Sequence, residues 1–278
     1  MSELGNTLAS VRDPAIECLF VYNCNPAVTA PDQRLVVEQL LRDDLFVVVH
    51  EQVMTDSARL ADIVLPATAF LEHRDIRRGY GAMRLFDSPA IATPVGESRS
   101  NNQLFGALLE RLGLVRPGDA MTDDDLVAAT FAASAHGPEL RAQLDREAPS
   151  GLYGYRPDPR TDDYPLALIS PALATQITST FGQLRKAPGQ LDISPADAAA
   201  RGIKSGDRVR VWNARGEVDC IAKIAPEVRD GVCALAKGLW RRHTVNGYTA
   251  NALIPQTLAD LGGQAAWNDA RVQVAKLM

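Results

Sequence analysis

The sequence has little that would attach it to a nucleic acid or a membrane. Its net charge is -5, from 29 basic and 34 acidic residues, which argues against a nucleic acid or an anionic membrane held by bulk electrostatic attraction. Its longest apolar runs have only the length of a strand, and its first residues lack the charged start and apolar core of a signal peptide. We therefore expect no nucleic-acid partner, no membrane span and no export signal.

Cysteine is also scarce. The four cysteines, Cys18, Cys24, Cys220 and Cys233, show no paired C-x-x-C spacing. Iron–sulfur clusters and structural zinc sites usually draw ligands from such closely spaced pairs, so we expect neither in this chain. Scattered, reduced thiols are typical of a cytoplasmic protein, which is the location that the sequence predicts.

The motifs of a self-contained catalytic centre are missing as well. The sequence contains no GxGxxG or GK[ST] phosphate loop, no HExxH zinc helix and no GxSxG nucleophile elbow. Its four histidines lie far apart along the chain. From these patterns we predict no catalytic residue and no metal ligand.

What the sequence does contain, in its first half, is an alternation of strand and helix patterns. Residues 19–22 and the apolar run 45–49 are typical of buried strands, and residues 32–42 between them predict a helix. Ser100 with Gln103 predicts the capped start of a second helix, which Gly113 ends, and Thr122 with Asp125 predicts a third. This alternation indicates βαβ units, so we expect residues 1–137 to form an α/β nucleotide-binding part with a parallel sheet.

The second half has a different texture. Residues 138–163 are rich in Pro, Gly, Asp, Arg and Tyr and are interpreted as a linker. Ser194 and Pro195 then predict the start of a short helix that ends at Gly202. The predicted strands of this half cover residues 166–170, 190–193, 208–212, 218–224, 232–236 and 271–275. Short strands separated by turns predict a compact β-barrel over residues 164–278.

Polar side chains follow several predicted strands, where ligands bind in open α/β sheets. Glu51, after the central strand, could accept N–H donors from a ligand, and His50 could bond a hydroxyl or a phosphate of that ligand. His73 could face a pyrophosphate. Solvated loop positions are the simpler alternative for these three, and an ordinary turn is the simpler alternative for Asn23 and Asn25.

The later candidates have structural alternatives too. Asn101 lies in the first turn of a helix, where exposed N–H groups favour a polar or anionic ligand, although it could only support the cap. Residues 170–182 are rich in hydroxyls and include Gln176, which suits a ligand with phosphates and many hydrogen-bonding groups but also an ordinary loop. His243, Asn251 and Asn268 belong to further loops, where a structural role is the alternative.

Several segments, in order along nearly the whole chain, resemble the molybdopterin oxidoreductases of the dimethyl sulfoxide reductase and formate dehydrogenase type. In the first half they are FVYNCNP at 20–26, ADIVLP at 61–66 and GESRSN at 96–101. In the second half they are Gln176 with its hydroxyl run, 193–198, 206–209, 213–216 and 251–253. The second set resembles the molybdopterin-dinucleotide-binding domain of that family. The resemblance implies a partial Rossmann-like parallel sheet followed by a double-psi-type β-barrel.

The resemblance also implies the cofactors, molybdopterin guanine dinucleotide and molybdenum, and the positions that contact them. Those positions are Asn23, Asn25, His50, Glu51, His73, Asn101, Ser170, Thr175, Gln176, Thr178, Ser179, His243, Asn251 and Asn268. At His73, Asn101 and Asn268 the family often has Lys or Asp, so the chain departs from the pattern there. We expect these side chains to converge on one long, anionic, guanine-bearing molecule.

The implied activity is two-electron or oxygen-atom transfer, with a substrate that the residues do not identify. Members of the family are several times longer, and their iron–sulfur motif and molybdenum ligand lie upstream of the matched segments. We therefore expect a C-terminal portion that is inactive alone, whose partners are the N-terminal part and an electron-transfer subunit. Two alternatives stay open: a non-catalytic cofactor-binding module or assembly subunit, and a flavodoxin-like nucleotide binder joined to an unrelated barrel.

Overall fold

The computed structural model describes residues 2–78, 85–134, 161–258 and 264–277. The chain divides into two compact units. Unit 1 comprises Met1–Val49, Val53–Val64 and Pro157–Met278, and unit 2 comprises His50–Gln52 and Leu65–Arg156. The predicted linker at 138–163 falls almost wholly outside the described residues, and the predicted domain boundaries stay a prediction. Within the part that is described, no helix combines the length and the apolar character needed to cross a bilayer.

The N-terminal segment folds as alternating helices and strands, as its pattern predicts. The elements are α1 (Leu4–Ser10), β1 (Cys18–Tyr22), α2 (Pro26–Thr29), α3 (Gln33–Leu40), β2 (Phe46–Glu51) and β3 (Ile63–Pro66). The three strands form a parallel sheet in the order β1-β2-β3. Val47 and Val49 are buried together with Val36, Leu40 and Leu8 from the helices, which explains why an apolar run forms the central strand.

The second half of the chain folds as a closed, six-stranded barrel. Its elements are β6 (Leu166–Ile169), β7 (Gln190–Ile193), α6 (Pro195–Ala199), β8 (Arg208–Trp212), β9 (Glu217–Ile224), β10 (Val232–Leu235) and β11 (Ala270–Lys276). The strand order around the barrel is β10-β6-β11-β8-β9-β7. The β10–β6 and β7–β9 pairs are parallel, and the other pairs are antiparallel. The predicted fold class, a parallel α/β sheet followed by a double-psi-type barrel, is confirmed.

The barrel interior is filled by the side chains that alternate along its strands. Leu166, Leu168, Val209 and Val211, for example, are almost completely buried, whereas their neighbours in sequence are not. Cys220 and Cys233 belong to this core, and burial raises the pKa of the Cys220 thiol to about 12. The two thiols are therefore protonated packing groups at neutral pH.

The short barrel helix ends earlier than its sequence predicts. Ser194 caps α6 and Pro195 opens it, as expected, but the helix ends at Ala199 rather than at Gly202. Gly202 instead occupies a left-handed turn with φ of 61°. The turn continues because Ile203 donates its N–H to the Ala198 carbonyl, so the glycine ends the turn that follows the helix.

Unit 2 contains a strand pair and two helices. They are β4 (Asp75–Arg78), β5 (Leu85–Ser88), α4 (Asn101–Leu112) and α5 (Asp123–Ser134). The antiparallel β4–β5 pair is not predicted by the sequence pattern. The start and end of α4 are as predicted, because Ser100 and Gln103 form a reciprocal capping box and Gly113 adopts the left-handed conformation at the C-cap.

Candidate cofactor-binding site

Asn25 is the most constrained of the predicted contact residues that follow β1. It lies at the N-cap of α2, its side chain is 3% exposed, and its Oδ1 accepts hydrogen bonds from the Ser57 hydroxyl at 2.7 Å and the Ser57 amide at 3.1 Å. Its Nδ2 is buried without a partner among the described residues. Asn23, two residues earlier, is exposed and has a left-handed backbone with φ of 55°. The predicted turn is therefore present, but only one of its two asparagine side chains, that of Asn25, is buried.

His50 and Glu51 lie inside a strand, so the expectation that the strand ends at Val49 is wrong. The strand β2 continues through Glu51, whose carbonyl accepts the Ala67 amide at 3.0 Å. The prediction took the polar side chains of His50 and Glu51 as the end of the strand. A strand continues through backbone hydrogen bonds, however, and these do not depend on side-chain polarity.

Burial changes the acid–base behaviour of this pair. His50 is 2% exposed, and burial lowers its pKa, opposed by the backbone carbonyls of Leu65 and Arg99. Burial raises the pKa of Glu51, opposed by the Gln52 amide. The site therefore favours a neutral imidazole and offers a carboxylate whose charge is poorly solvated, which N–H donors from a ligand would stabilise.

Gln176 is a buried member, 4% exposed, of the hydroxyl-rich loop after β6. Its Nε2 donates to the carbonyls of Thr178, at 2.9 Å, and Gly238, while its buried Oε1 has no partner within the described chain. Gly238 has a φ of 76° and leaves no room for a Cβ against the Thr178 carbonyl. Thr178 itself has a φ of 47°, so the loop is held in a conformation that most residues avoid.

The loop at 240–243 packs on the same segment. The Trp240 indole donates to the Ser179 carbonyl at 2.7 Å, and the Arg242 guanidinium lies 5.0 Å from the centre of the indole ring. Gly182 leaves no space for a Cβ beside that indole. The predicted residue His243 accepts the Trp240 amide at Nδ1, at 3.0 Å.

The His243 imidazole is kept neutral by its surroundings. Burial lowers its pKa, and the guanidinium groups of Arg242 and Arg185 lower it further. Because Nδ1 is an acceptor, the proton of the neutral ring is on Nε2. His243 is therefore a structural support of the loop as well as a predicted contact.

Asn251 joins the barrel to the N-terminal segment. Its Nδ2 donates to the carbonyls of Val28, at 2.9 Å, and Ala30, at 3.1 Å. Nearby, the fully buried Gln33 donates to the Ala27 carbonyl at 2.7 Å and accepts the Thr249 amide at 2.7 Å. Asn251 thus has a clear packing role, and its contact with a cofactor stays a prediction.

Two other predicted positions meet at the end of β6. The Asn268 side-chain carbonyl accepts the Ser170 amide at 3.3 Å, and the Ser170 hydroxyl is buried without a partner among the described residues. Thr175 is exposed, and Ser179 is half-buried. The structure therefore brings Ser170 and Asn268 together, and it brings Gln176, Thr178 and Ser179 together around Gly238 and Trp240.

In unit 2, His73 and Asn101 lie on different elements. The His73 Nδ1 is 2.9 Å from the Thr68 hydroxyl and 3.1 Å from the Ala69 carbonyl. Asn101 is the first residue of α4 and is half-buried. Its neighbour Asn102, which the sequence did not single out, has the buried amide nitrogen without a partner in the described chain.

Sequence reasoning missed the residues that connect these groups. Asp56, whose side chain is buried, accepts the Arg241 amide at 3.0 Å, and Ser57 holds Asn25. Asp56 and Arg241 are 185 positions apart, and no local pattern reveals such a pairing. The only sequence signal was that both lie in loops after strands.

Several buried polar side-chain atoms have no hydrogen-bond partner among the described residues. Four of the predicted contact residues have one in the described chain: Asn25 Nδ2, His50 Nε2, Ser170 Oγ and Gln176 Oε1. Ser98, Asn102, Arg185 and Gln256 have them as well. Buried polar atoms are normally hydrogen-bonded, so each of these needs a water molecule or a bound group. No group of three or more metal-ligating side chains occurs among the described residues.

The fold defines a class of protein: one that combines a parallel α/β sheet with a double-psi-type barrel. Comparison with known families identifies the class further. Residues 3–111 match the molybdopterin oxidoreductase family, and residues 166–271 match the molydopterin dinucleotide binding domain. The chain belongs to the molybdopterin oxidoreductase family.

Similar proteins agree with this assignment. The chain is 32% identical to a probable oxidoreductase of Bacillus subtilis, YoaE, in an alignment that covers 100% of the chain and 46% of that protein. It is 26% identical to a trimethylamine-N-oxide reductase of Haemophilus influenzae, over 82% of the chain and 36% of the relative. The structure of acetylene hydratase from Pelobacter acetylenicus has the same fold, with a TM-score of 0.80, 18% identity, and coverage of 99% of this chain and 46% of that one.

The family assignment decides between earlier alternatives. Because both halves of the chain match domains of one family, the flavodoxin-like binder joined to an unrelated barrel is wrong. The two matched domains support molybdopterin guanine dinucleotide and molybdenum as the cofactors. The chain spans less than half the length of the two relatives described above.

The residues present fit this cofactor chemically. An unpaired amide donor at Asn25, an unpaired amide acceptor at Gln176 and an unpaired hydroxyl at Ser170 offer both kinds of hydrogen bond. A molybdopterin dinucleotide carries donors and acceptors on its pterin and base and acceptors on its phosphates. Neutral donors and acceptors of this kind are a suitable set for such a molecule.

Proposed function

We propose that this chain is the part of a molybdenum-dependent oxidoreductase that binds molybdopterin guanine dinucleotide, in an enzyme of two-electron or oxygen-atom transfer. The observation that carries the proposal is the unpaired, buried Asn25 Nδ2 and Gln176 Oε1 in a chain of this family. Leaving a buried polar atom unpaired costs about 1–3 kcal/mol, so each of these atoms needs a water molecule or a bound group, and the cofactor is the group that we propose.

In this proposal the unit 1 residues bind and orient the cofactor. Asn25 would donate to it through Nδ2, Gln176 would accept from an N–H group through Oε1, and the Ser170 hydroxyl would do either. Thr175, Thr178 and Ser179 add hydroxyls and backbone amides on the same loop. The remaining predicted contacts in unit 1 are Asn23, His243, Asn251 and Asn268.

Glu51 is the residue that we propose for recognition of guanine. Its carboxylate can accept two N–H groups from the base edge, and these donors would offset the burial that raises its pKa. His50 would accept at Nε2 from a ribose hydroxyl, because its Nδ1 lies 3.3 Å from the Leu65 carbonyl and so carries the proton of the neutral ring. His73 and Asn101 are the further contacts proposed in unit 2.

The chain's own residues act by binding rather than as acids or bases on a substrate. When bound, the molybdenum cofactor supplies the redox chemistry, and the protein sets its position and surroundings. Relatives carry the names of trimethylamine-N-oxide reductase and dimethyl sulfoxide reductase, which makes N-oxides and sulfoxides the first substrates to assay. We propose the remainder of a longer enzyme and an electron-transfer subunit as partners. The cytoplasmic location stays a prediction.

Purification of the protein from its native cells, with every polypeptide that accompanies it, tests the proposal. Elemental analysis should find molybdenum in proportion to protein, and mild acid hydrolysis should release guanine nucleotide. Reduction of dimethyl sulfoxide or trimethylamine N-oxide by reduced viologen should accompany them. Cofactor without any turnover would favour the non-catalytic module, whereas a preparation with neither molybdenum nor pterin would contradict the proposal.

A further inference from the structure

The segment from Thr55 to Leu60, which follows β2, is held by its own hydrogen bonds. The Thr55 hydroxyl accepts the Ala58 amide at 3.2 Å, and the Thr55 carbonyl accepts the Arg59 amide at 3.1 Å. A short 3-10 helix, Ala58–Leu60, follows at once. Two consecutive side chains in this segment, Asp56 and Ser57, reach different parts of unit 1.

Ser57 determines which way the Asn25 amide points. Its hydroxyl donates to Asn25 Oδ1 at 2.7 Å and accepts the Ala27 amide at 3.0 Å, and its own amide donates to the same Oδ1 at 3.1 Å. Two donors on one atom identify that atom as the oxygen, because a side-chain NH₂ cannot accept them. Nδ2 must therefore point to the other side, where it is buried without a partner in the described chain.

Asp56 holds the barrel loop against the same segment. Its Oδ2 accepts the Arg241 amide at 3.0 Å, and this amide opens the short 3-10 helix Arg241–His243. The preceding residue, Trp240, donates its indole N–H to Ser179 in the hydroxyl-rich loop. A continuous series of contacts therefore leads from Asn25 through Ser57 and Asp56 to the loop that contains Gln176.

We infer that Asp56 and Ser57 are positioning residues of the cofactor site: Ser57 aims the Asn25 amide donor, and Asp56 sets the position of the 240–243 loop. This inference rests on the proposed function. Neither side chain needs to touch the cofactor. Ser57 has both its hydroxyl functions satisfied within the protein, and the Asp56 Oδ2 is occupied by a backbone amide.

The rate at which the purified holoprotein loses molybdopterin, followed as guanine nucleotide released over time, tests the role of Ser57. Removing an orienting hydrogen bond with Ser57→Ala should speed the loss about fivefold to tenfold. If Ser57 acts through Asn25, the same change in an Asn25→Ala background should have little further effect. An equal acceleration in both backgrounds, or none in either, would overturn the inference.

Ser194→Ala is the matched control. Ser194 is also fully buried, and its hydroxyl likewise donates to a side chain, Asp197 Oδ2 at 2.9 Å, and accepts a backbone amide, that of Asp197, at 3.1 Å. The Ser194→Ala variant should lower the urea midpoint of unfolding about as much as Ser57→Ala does. It should leave the rate of cofactor loss unchanged. If Ser57→Ala does not fold, Asn25→Asp provides the test, because its carboxylate still accepts from Ser57 but cannot donate to the cofactor.

Asp56 is tested by a pair of variants. Asp56→Asn retains an oxygen that can accept the Arg241 amide and should hold the cofactor nearly as well as wild type, whereas Asp56→Ala should lose it several-fold faster. Equal behaviour of the two variants would overturn a role through this hydrogen bond. If the wild-type protein contains no molybdopterin, the proposed function fails and this inference fails with it; unchanged cofactor loss in the variants of a loaded protein defeats the inference alone.

Discussion

Single amides carry much of the specificity that we assign to this protein. Asn25 and Gln176 each bond the protein through one end of the amide and leave the other end buried and unpaired. Glu51 and His50 are a related case. Burial raises the pKa of Glu51 and lowers that of His50, and both shifts favour the neutral form of the side chain. A buried polar group without a partner lowers stability, and in the proposed site the cofactor would supply the partner.

Glu51→Gln separates binding from stability. The change should reduce the guanine nucleotide recovered with the purified protein severalfold, since an amide cannot accept two N–H donors from one base edge as a carboxylate can. It should not lower the melting temperature, because burial disfavours the charged form of Glu51. Glu97→Gln, at an exposed position, should leave both nucleotide content and melting temperature unchanged. Full nucleotide content in Glu51→Gln would contradict its role.

The buried histidines predict how stability depends on pH. The pKa values of His50 and His243 lie below the ordinary 6.5 in the folded protein, so the unfolded chain binds more protons as the pH falls. Their contribution to the free energy of unfolding is complete above about pH 6.5 and declines below it. Burial raises the pKa values of Glu51 and Asp56 above their ordinary 4.5 and 3.8, so these two carboxyls act in the opposite sense.

Urea unfolding between pH 7.5 and 5.5 measures this contribution. The wild-type free energy of unfolding should fall more steeply over this range than that of a variant in which both histidines are replaced by glutamine. Equal slopes for the two proteins would show that the imidazoles do not supply the proton uptake.

At the scale of elements, the local patterns were the most predictable part of the structure. The six barrel strands were predicted within two residues at each end, and the cap at Ser100 was predicted in detail. Both features depend on residues that are close together in the sequence, so a local pattern reveals them. The end of β2 was misjudged for the opposite reason. Its last two residues are polar, and only pairing with another strand reveals that they continue it.

The hydroxyl-rich loop depends on a glycine, Gly238, at a point where two backbone segments approach closely. Gly238 and Gly247 have almost the same backbone, with φ of 76° and 77°, but only Gly238 lacks space for a Cβ, which would strike the Thr178 carbonyl. Gly247→Ala should therefore show only the cost of a left-handed alanine, about 1–2 kcal/mol. Gly238→Ala should lose about 1–3 kcal/mol more by overpacking, together with cofactor retention. Chemical denaturation of the pair measures the difference, and equal losses would show that the approach to Thr178 is not critical.

At the scale of the whole molecule, the family matches cover parts of both units, and the sequence resemblance anticipated them. Pattern reasoning could indicate which loops carry polar residues, but it could not indicate how those residues pair. Gln33 and Thr249 are 216 positions apart, and Asn251 and Val28 are 223 apart. Such contacts follow from the packed fold and not from neighbouring residues, which is why Asp56 and Ser57 were missed.

An experimental structure of the native, cofactor-loaded protein tests the central claim most directly. It should show the molybdopterin dinucleotide within hydrogen-bonding distance, about 2.7–3.2 Å, of Asn25 Nδ2 and Gln176 Oε1, with Ser57 still bonded to Asn25 Oδ1. A structure in which both atoms bond only to water, while the dinucleotide lies elsewhere, would contradict the account.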